Sequence, residues 1–137
     1  MSESTKPGEV IQLRLVVHAS DFEEAVEFYR DRLGLAESLS VSGDDGAEVV
    51  ILEAGRATLE LINDEQRKFI DEVEVGREVS RKFRVAFEVR DAEATTRSLA
   101  EAGAEVVAAP TQTPWSSLNS RLEAPAGLQL TIFEELS

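Results

Sequence analysis

Two stretches of this chain repeat one arrangement of apolar and polar positions. Arg14-Leu15-Val16-Val17-His18-Ala19-Ser20-Asp21 and Arg84-Val85-Ala86-Phe87-Glu88-Val89-Arg90-Asp91 match in kind at an offset of 70 residues. Each is a short run rich in Val, Leu and Phe, which reads as a buried strand, and each ends in Ser or Asp, which reads as a helix N-cap. After the first run, Phe22, Ala25, Val26, Tyr29 and Leu33 recur at helical spacing. Ser20 and Glu23 form a capping-box pattern there, and Gly34 can end the helix in the left-handed region. After the second run, Ala92, Leu99 and Ala102 share one side and Gly103 is the stop, although Thr95 and Thr96 have poor helix propensity.

Three strand-like runs follow each predicted helix: Leu35 to Ser42, Glu48 to Glu53 and Ala57 to Ile62, then Glu105 to Ala108, Ser117 to Glu123 and Leu128 to Phe133. Gly43-Asp44-Asp45-Gly46, Ala54-Gly55-Arg56 and Pro125-Ala126-Gly127 mark turns between them. Each half therefore reads as strand, helix, strand, strand, strand. The expected fold is α+β: two βαβββ modules in tandem forming a curved mixed sheet around a central cavity, with helices outside. Residues 1–9 read as a flexible tail and 10–137 as one domain, with module 1 at about 10–62, a connector at 63–82 and module 2 at about 83–134. In the connector, Asn63 or Asp64 is a plausible cap and Phe69, Ile70 and Val73 make an apolar edge, so a helical turn or two is expected. A half-length module is marginal alone and leaves sheet edges to cover, so the halves should complete one another. A pocket at their interface is the natural ligand site.

Composition narrows the function. There are 14 Lys plus Arg against 27 Asp plus Glu in 137 residues, a formal net charge of -13, and no cysteine. Cysteine-ligated zinc and iron–sulfur sites are excluded. A nucleic-acid or anionic-membrane partner is not expected, since both need a basic surface to displace counterions. No apolar run reaches the roughly 18 residues of a membrane span, and the N-terminus lacks the basic and then apolar regions of a secretory signal, so a cytoplasmic location is expected. The acidic residues Glu23, Glu24, Glu27, Asp31, Asp44, Asp45, Asp64, Glu65, Asp71, Glu72 and Glu74 read as a solvated surface that also attracts cations.

Several segments together resemble one superfamily. They are Ser20-Asp21-Phe22 through Phe28-Tyr29-Arg30-Asp31 to Leu33-Gly34-Leu35, Ala57-Thr58-Leu59-Glu60-Leu61, Arg84 through Asp91, Thr113-Pro114-Trp115 and Ala124-Pro125-Ala126-Gly127. The pattern, from Val10 to Glu134, is similar to the vicinal oxygen chelate superfamily of glyoxalase I, bleomycin resistance proteins and extradiol dioxygenases. The resemblance implies two metal ligands per half, a His at the start of the first strand and a Glu on the last, and in many members a homodimer. Carried over, those positions are Arg14, Glu60, Arg84 and Thr131, and only Glu60 keeps the residue type. A guanidinium has no free lone pair and stays protonated, so Arg14 and Arg84 cannot replace imidazoles. No metal and no other cofactor is therefore expected, nor the Lewis-acid chemistry that a metal would supply.

On their own terms, strand alternation places Arg14, Val16 and His18 on one face, and Arg84, Ala86 and Glu88 on the matching face of the repeat. Thr58, Glu60 and Ile62 form a third set, and Gln129, Thr131 and Phe133 a fourth. Arg14, Glu60 and Arg84 read either as a structural ion-pair cluster or as a clamp for a ligand carboxylate or phosphate. His18, the sole histidine, is a candidate general base with Glu88 as its partner, or an ordinary strand-end histidine. Trp115, the sole tryptophan, either stacks on a flat or cationic ligand or packs against the helices. Asn119 and Arg121 alternate with Leu118 and Leu122 and face either the cavity or solvent.

Three functions follow as expectations. The favoured one is a metal-free protein that binds a small organic molecule, an antibiotic or a metabolite, with Arg14, His18, Glu60, Arg84, Glu88, Trp115, Asn119 and Thr131 as binding residues. The second is a metal-independent lyase or isomerase that moves protons with His18, Glu60 or Glu88. The third is a divalent-metal-dependent lyase or dioxygenase.

Overall fold

The computed structural model describes residues 15, 17, 19–42, 46–57 and 63–137. Helix α1 is Phe22–Val26, continued by a π-helical stretch, Glu27–Arg32. Its cap is Asp21 rather than the expected Ser20, with Asp21 Oδ1 accepting from the Glu24 amide at 3.1 Å. The Leu33 amide donates to the Phe28 carbonyl, a five-residue step. Within this stretch the neighbouring residues Phe28 and Tyr29 are both buried, three and four positions after the buried Ala25. Their rings meet edge to face at 4.9 Å. Gly34 follows at φ +93°, the left-handed stop expected there.

Strands β1 (Glu37–Ser42) and β2 (Glu48–Leu52) pair antiparallel. All of the predicted strand from Ala57 to Ile62 except Ala57, and Arg14, Val16 and His18 of the predicted first strand, lie outside the described residues. Helix α2 (Asp64–Glu74) has 11 residues, about three turns and longer than the turn or two expected. Asn63 is its cap, its side chain accepting from the Gln66 amide at 2.9 Å.

The second half carries the whole predicted motif. Strand β3 (Val85–Glu88), helix α3 (Ala92–Glu101) and strands β4 (Glu105–Gln112), β5 (Ser117–Ala124) and β6 (Leu128–Glu135) form a four-stranded sheet in the order β3-β6-β5-β4. β3 runs parallel to β6 and the other pairs are antiparallel. β4 runs past its expected end at Ala108. Register shifts between Val106 and Thr111 absorb Pro110 on this edge strand, where a missing ladder donor is tolerated. A short 3-10 turn, Pro125–Gly127, joins β5 to β6.

Alternation gives this sheet two unlike faces. One bears Leu122, Leu130 and Ile132, all fully buried, and packs with Ala92 and Leu99 of α3 and with Ala25, Phe28 and Tyr29. Thr96, expected only to weaken α3, is buried in this layer, its hydroxyl 2.7 Å from that of Ser120. Tyr29 also donates to the Pro125 carbonyl at 3.3 Å, tying the first half to the turn before β6. The other face bears Ser117, Asn119, Arg121, Gln129 and Thr131, all buried although polar. Helix α2 lies over that face.

Candidate functional site

The way α2 is held follows from its sequence. Ile70, Asp71 and Glu74 fall on one helical face, and all three are buried. Ile70 is the only apolar side chain of α2 that is fully buried; Phe69 is exposed and Val73 half-buried. Most of the docking is therefore polar. Arg121 reaches up from β5, donating from Nη1 to Asp71 Oδ1 at 3.0 Å and from Nη2 to Glu74 Oε1 at 2.8 Å. The reading of Asp71 and Glu74 as solvated surface is thus corrected: they are counter-ions to a guanidinium with no exposure at all. Arg121 also donates to Gln129 Oε1 at 3.2 Å, while its Nε–H has no acceptor among the described residues.

Asp71 has a second task. Its Oδ2 accepts from the amides of Val79 and Ser80 and its Oδ1 from the Ser80 hydroxyl, so it pins the chain leading from α2 toward β3. Burial by itself opposes ionisation of this carboxyl. The Ser80 hydroxyl, the two amides and Arg121 outweigh that penalty and hold it below the ordinary carboxylate range.

From Glu74 a chain of hydrogen bonds runs along β5. Asn119 Nδ2 donates to Glu74 Oε2 at 2.6 Å, Ser117 Oγ donates to Asn119 Oδ1 at 2.7 Å, and the Ser117 and Thr113 hydroxyls meet at 2.9 Å. An ionised carboxylate only accepts, so it fixes the Asn119 amide, and the amide in turn fixes the Ser117 hydroxyl as a donor. Thr113 and Ser117 close the turn that carries Trp115.

Beside this network is a cavity of about 430 Å³. Arg84, Ala86, Thr131 and Phe133 line it from the sheet, Ser117 and Asn119 from β5, Gln66, Ile70 and Glu74 from α2, and Trp115 and Glu135 from its far end. Arg84 Nε donates to Thr131 Oγ1 at 2.8 Å, a contact prepared by the register that pairs Ala86 with Thr131. Trp115 is 44% exposed and packs at 6.0 Å centroid distance on Phe69, forming an aromatic rim.

Four of the expected binding residues, Arg84, Trp115, Asn119 and Thr131, are thus brought to one cavity. Glu88 is exposed and does not line it, although its register partner Phe133 does. Arg14, His18 and Glu60 lie outside the described residues. Three residues of the connector helix also line the cavity and were not expected there: Ile70 was read as part of an apolar edge, Glu74 as solvated surface, and Gln66 was not singled out. The spacing of Ile70, Asp71 and Glu74 puts them on one helical face, but nothing local marks the two acids as buried rather than solvated.

The donor set can be tested against the metal that the resemblance implies. Of its four positions, Arg84 has no lone pair to offer, and Thr131 is a neutral hydroxyl whose oxygen accepts from Arg84. The described half of the site does not fit a divalent ion. Among the described residues no group of three or more His, Cys, Asp or Glu side chains is placed to hold a metal. No helix among them is long and apolar enough to cross a membrane.

Comparison with known proteins agrees with this architecture. The chain is 29% identical over 133 residues to the uncharacterized protein YraH of Bacillus subtilis (strain 168), covering 93% of this chain and 98% of that protein. In fold it is similar to a hypothetical protein from S. aureus, with a TM-score of 0.60 at 16% identity, covering 93% of this chain and 95% of the other. A glyoxalase/bleomycin resistance protein/dioxygenase superfamily member from Sphaerobacter thermophilus has a TM-score of 0.57 at 23% identity, over 87% of this chain and 92% of that one. A glyoxalase-related enzyme from Fulvimarina pelagi has a TM-score of 0.56 at 16% identity, over 92% and 89%. The family model described as Glyoxalase/Bleomycin resistance protein/Dioxygenase superfamily matches residues 11–132, and this chain belongs to that superfamily.

Proposed function

We propose that this protein is a cytoplasmic, homodimeric binder of a small organic molecule that works without the superfamily's metal. The observation that carries the reading is the cavity on the polar face of the second-half sheet. There Arg84 and Thr131, to which the family resemblance assigns two of the metal-ligand positions, are in mutual contact. Its volume is in the range of small-molecule sites, and its walls combine apolar side chains with a few oriented polar groups. The exposed Leu39, Val41 and Val49 of the β1–β2 pair support an association surface in the first half.

Metal analysis of gently purified protein, joined to a thermal-shift screen against polyaromatic antibiotics, acyl thioesters and small oxo acids, tests this reading. The expected result is metal-free protein stabilised by one of these classes without turnover. A stoichiometric divalent ion whose removal unfolds the protein would overturn it. Turnover of the bound compound would replace it with the enzyme reading. Light scattering should give twice the chain mass at micromolar concentration.

A further inference from the structure

We infer that the cavity is built for a small amphoteric molecule, one carrying an ammonium group close to a carboxylate, with an apolar or aromatic remainder. This deepens the proposed function and rests on the cavity being a ligand site. The inference comes from the hydrogen-bonding polarity of the walls. At one pole stand Arg84 and Thr131. A guanidinium can only donate, whatever else it touches. The Thr131 oxygen takes the Arg84 Nε–H, and its hydroxyl keeps one proton to give. This pole recognises an acceptor, best of all a carboxylate, because charge-assisted bonds are the stronger ones.

The second pole is Glu74. Arg121 and Asn119 engage one oxygen each, at 2.8 and 2.6 Å, which holds the carboxylate in place. Each oxygen keeps further acceptor capacity, so Glu74 recognises a donor. The poles are near one another. Thr131 stands directly opposite Arg121 in the β5–β6 register, and Arg121 bonds Glu74. Residues directly opposite in a ladder are about 5 Å apart and the Arg121 side chain reaches on to Glu74, which places the poles on the order of 10 Å from one another, a gap that two hydrogen bonds of about 3 Å and a short ligand would bridge. An amine and a carboxylate on one or two carbons match that separation. Ala86, Phe133, Ile70 and Trp115 supply the apolar remainder of the wall.

The test uses the full chain and the fluorescence of its one tryptophan, titrated with L-phenylalanine, N-acetyl-L-phenylalanine and L-phenylalaninamide, with aliphatic amino acids alongside. The free amino acid should bind about tenfold or more tightly than either blocked form, as expected for losing a charge-assisted contact. Glu74→Gln should erase the penalty for acetylation, and Thr131→Val should reduce the penalty for amidation. The valine variant keeps shape and leaves the Arg121 network intact, so it remains informative if Glu74→Gln fails to fold. Blocked and free forms that bind equally would overturn the inference. So would binding confined to antibiotics, thioesters or oxo acids, a result that leaves the proposed function standing. If no class binds, the small-molecule reading falls, and this inference falls with it.

Discussion

Arg121 Nη2 lies 2.8 Å from Glu74 Oε1, and neither side chain has appreciable access to water. The same guanidinium meets Asp71 at 3.0 Å, so one cation on β5 holds two anions on α2. Helix α2 is attached to the sheet mainly through this charge and not through apolar burial. The wall of the cavity therefore depends on an electrostatic joint.

Arg121→Met should be strongly destabilising. It leaves two buried carboxylates without their cation, and breaking a buried pair in this way costs about 3–5 kcal/mol. Urea unfolding should show a large drop in midpoint, and Arg121→Met/Glu74→Met should recover part of it by removing one stranded anion. An unchanged midpoint in the single variant would refute the joint.

Acid should loosen the same joint. The folded-state pKa of Asp71 is depressed below its unfolded value of about 3.9. The resulting stabilisation is present in full above that unfolded value and is lost as pH falls through the depressed one. Unfolding free energy measured from pH 6 down to pH 2 should fall along this limb. Asp71→Asn should lower stability at pH 6 and flatten the acid limb; an equally steep limb in the variant would count against Asp71 as its source.

These features divide what a sequence reveals from what it hides. The repeat at Arg14 and Arg84, the Asp91 cap of α3 and the Gly34 and Gly103 stops all depend on neighbours in the chain, and those in the described residues appear where local rules place them. The four-stranded sheet follows from the same period-two runs. Arg84 and Thr131 were grouped in advance only through the ligand positions that the family resemblance implies; the contact between them comes from the parallel pairing of β3 with β6. The Arg121 joint was not legible. It unites residues 47 and 50 positions apart, and an acid on a helix looks the same in sequence whether water or arginine faces it. The π-helical widening after Val26 was hidden as well, since Ala25, Phe28 and Tyr29 keep the spacing of an ordinary helix.

Tyr29 offers a check on the contact between halves. It is the sole tyrosine, and burial raises its pKa well above the ordinary value near 10. Its contribution to stability is therefore intact below about pH 10 and is lost as pH rises toward the raised folded value. Absorbance titration should show no phenolate in the native protein at pH 10.5, then an abrupt appearance on alkaline unfolding. Tyr29→Phe removes the 3.3 Å bond to Pro125 and should cost about 1 kcal/mol or less. A normal native titration near pH 10 would mean that the halves do not pack as described.

Trp115 reports on the cavity itself. Its turn is closed by the Thr113 amide donating to the Ser117 carbonyl at 2.8 Å, and Ser116 sits within it at φ +65°, where a side chain is strained. Ser116→Gly should relieve that strain and stabilise the protein by up to about 1 kcal/mol, whereas Ser116→Val should destabilise it and displace the tryptophan. Because the indole is partly exposed at the rim, acrylamide should quench the free protein, and a ligand seated between Trp115 and Phe133 should protect it. Trp115→Leu should then weaken that ligand by roughly 3- to 10-fold, the usual worth of an aromatic contact beyond its area. If a ligand binds with unaltered affinity to Trp115→Leu and leaves quenching of the native protein unchanged, it occupies some other part of the molecule.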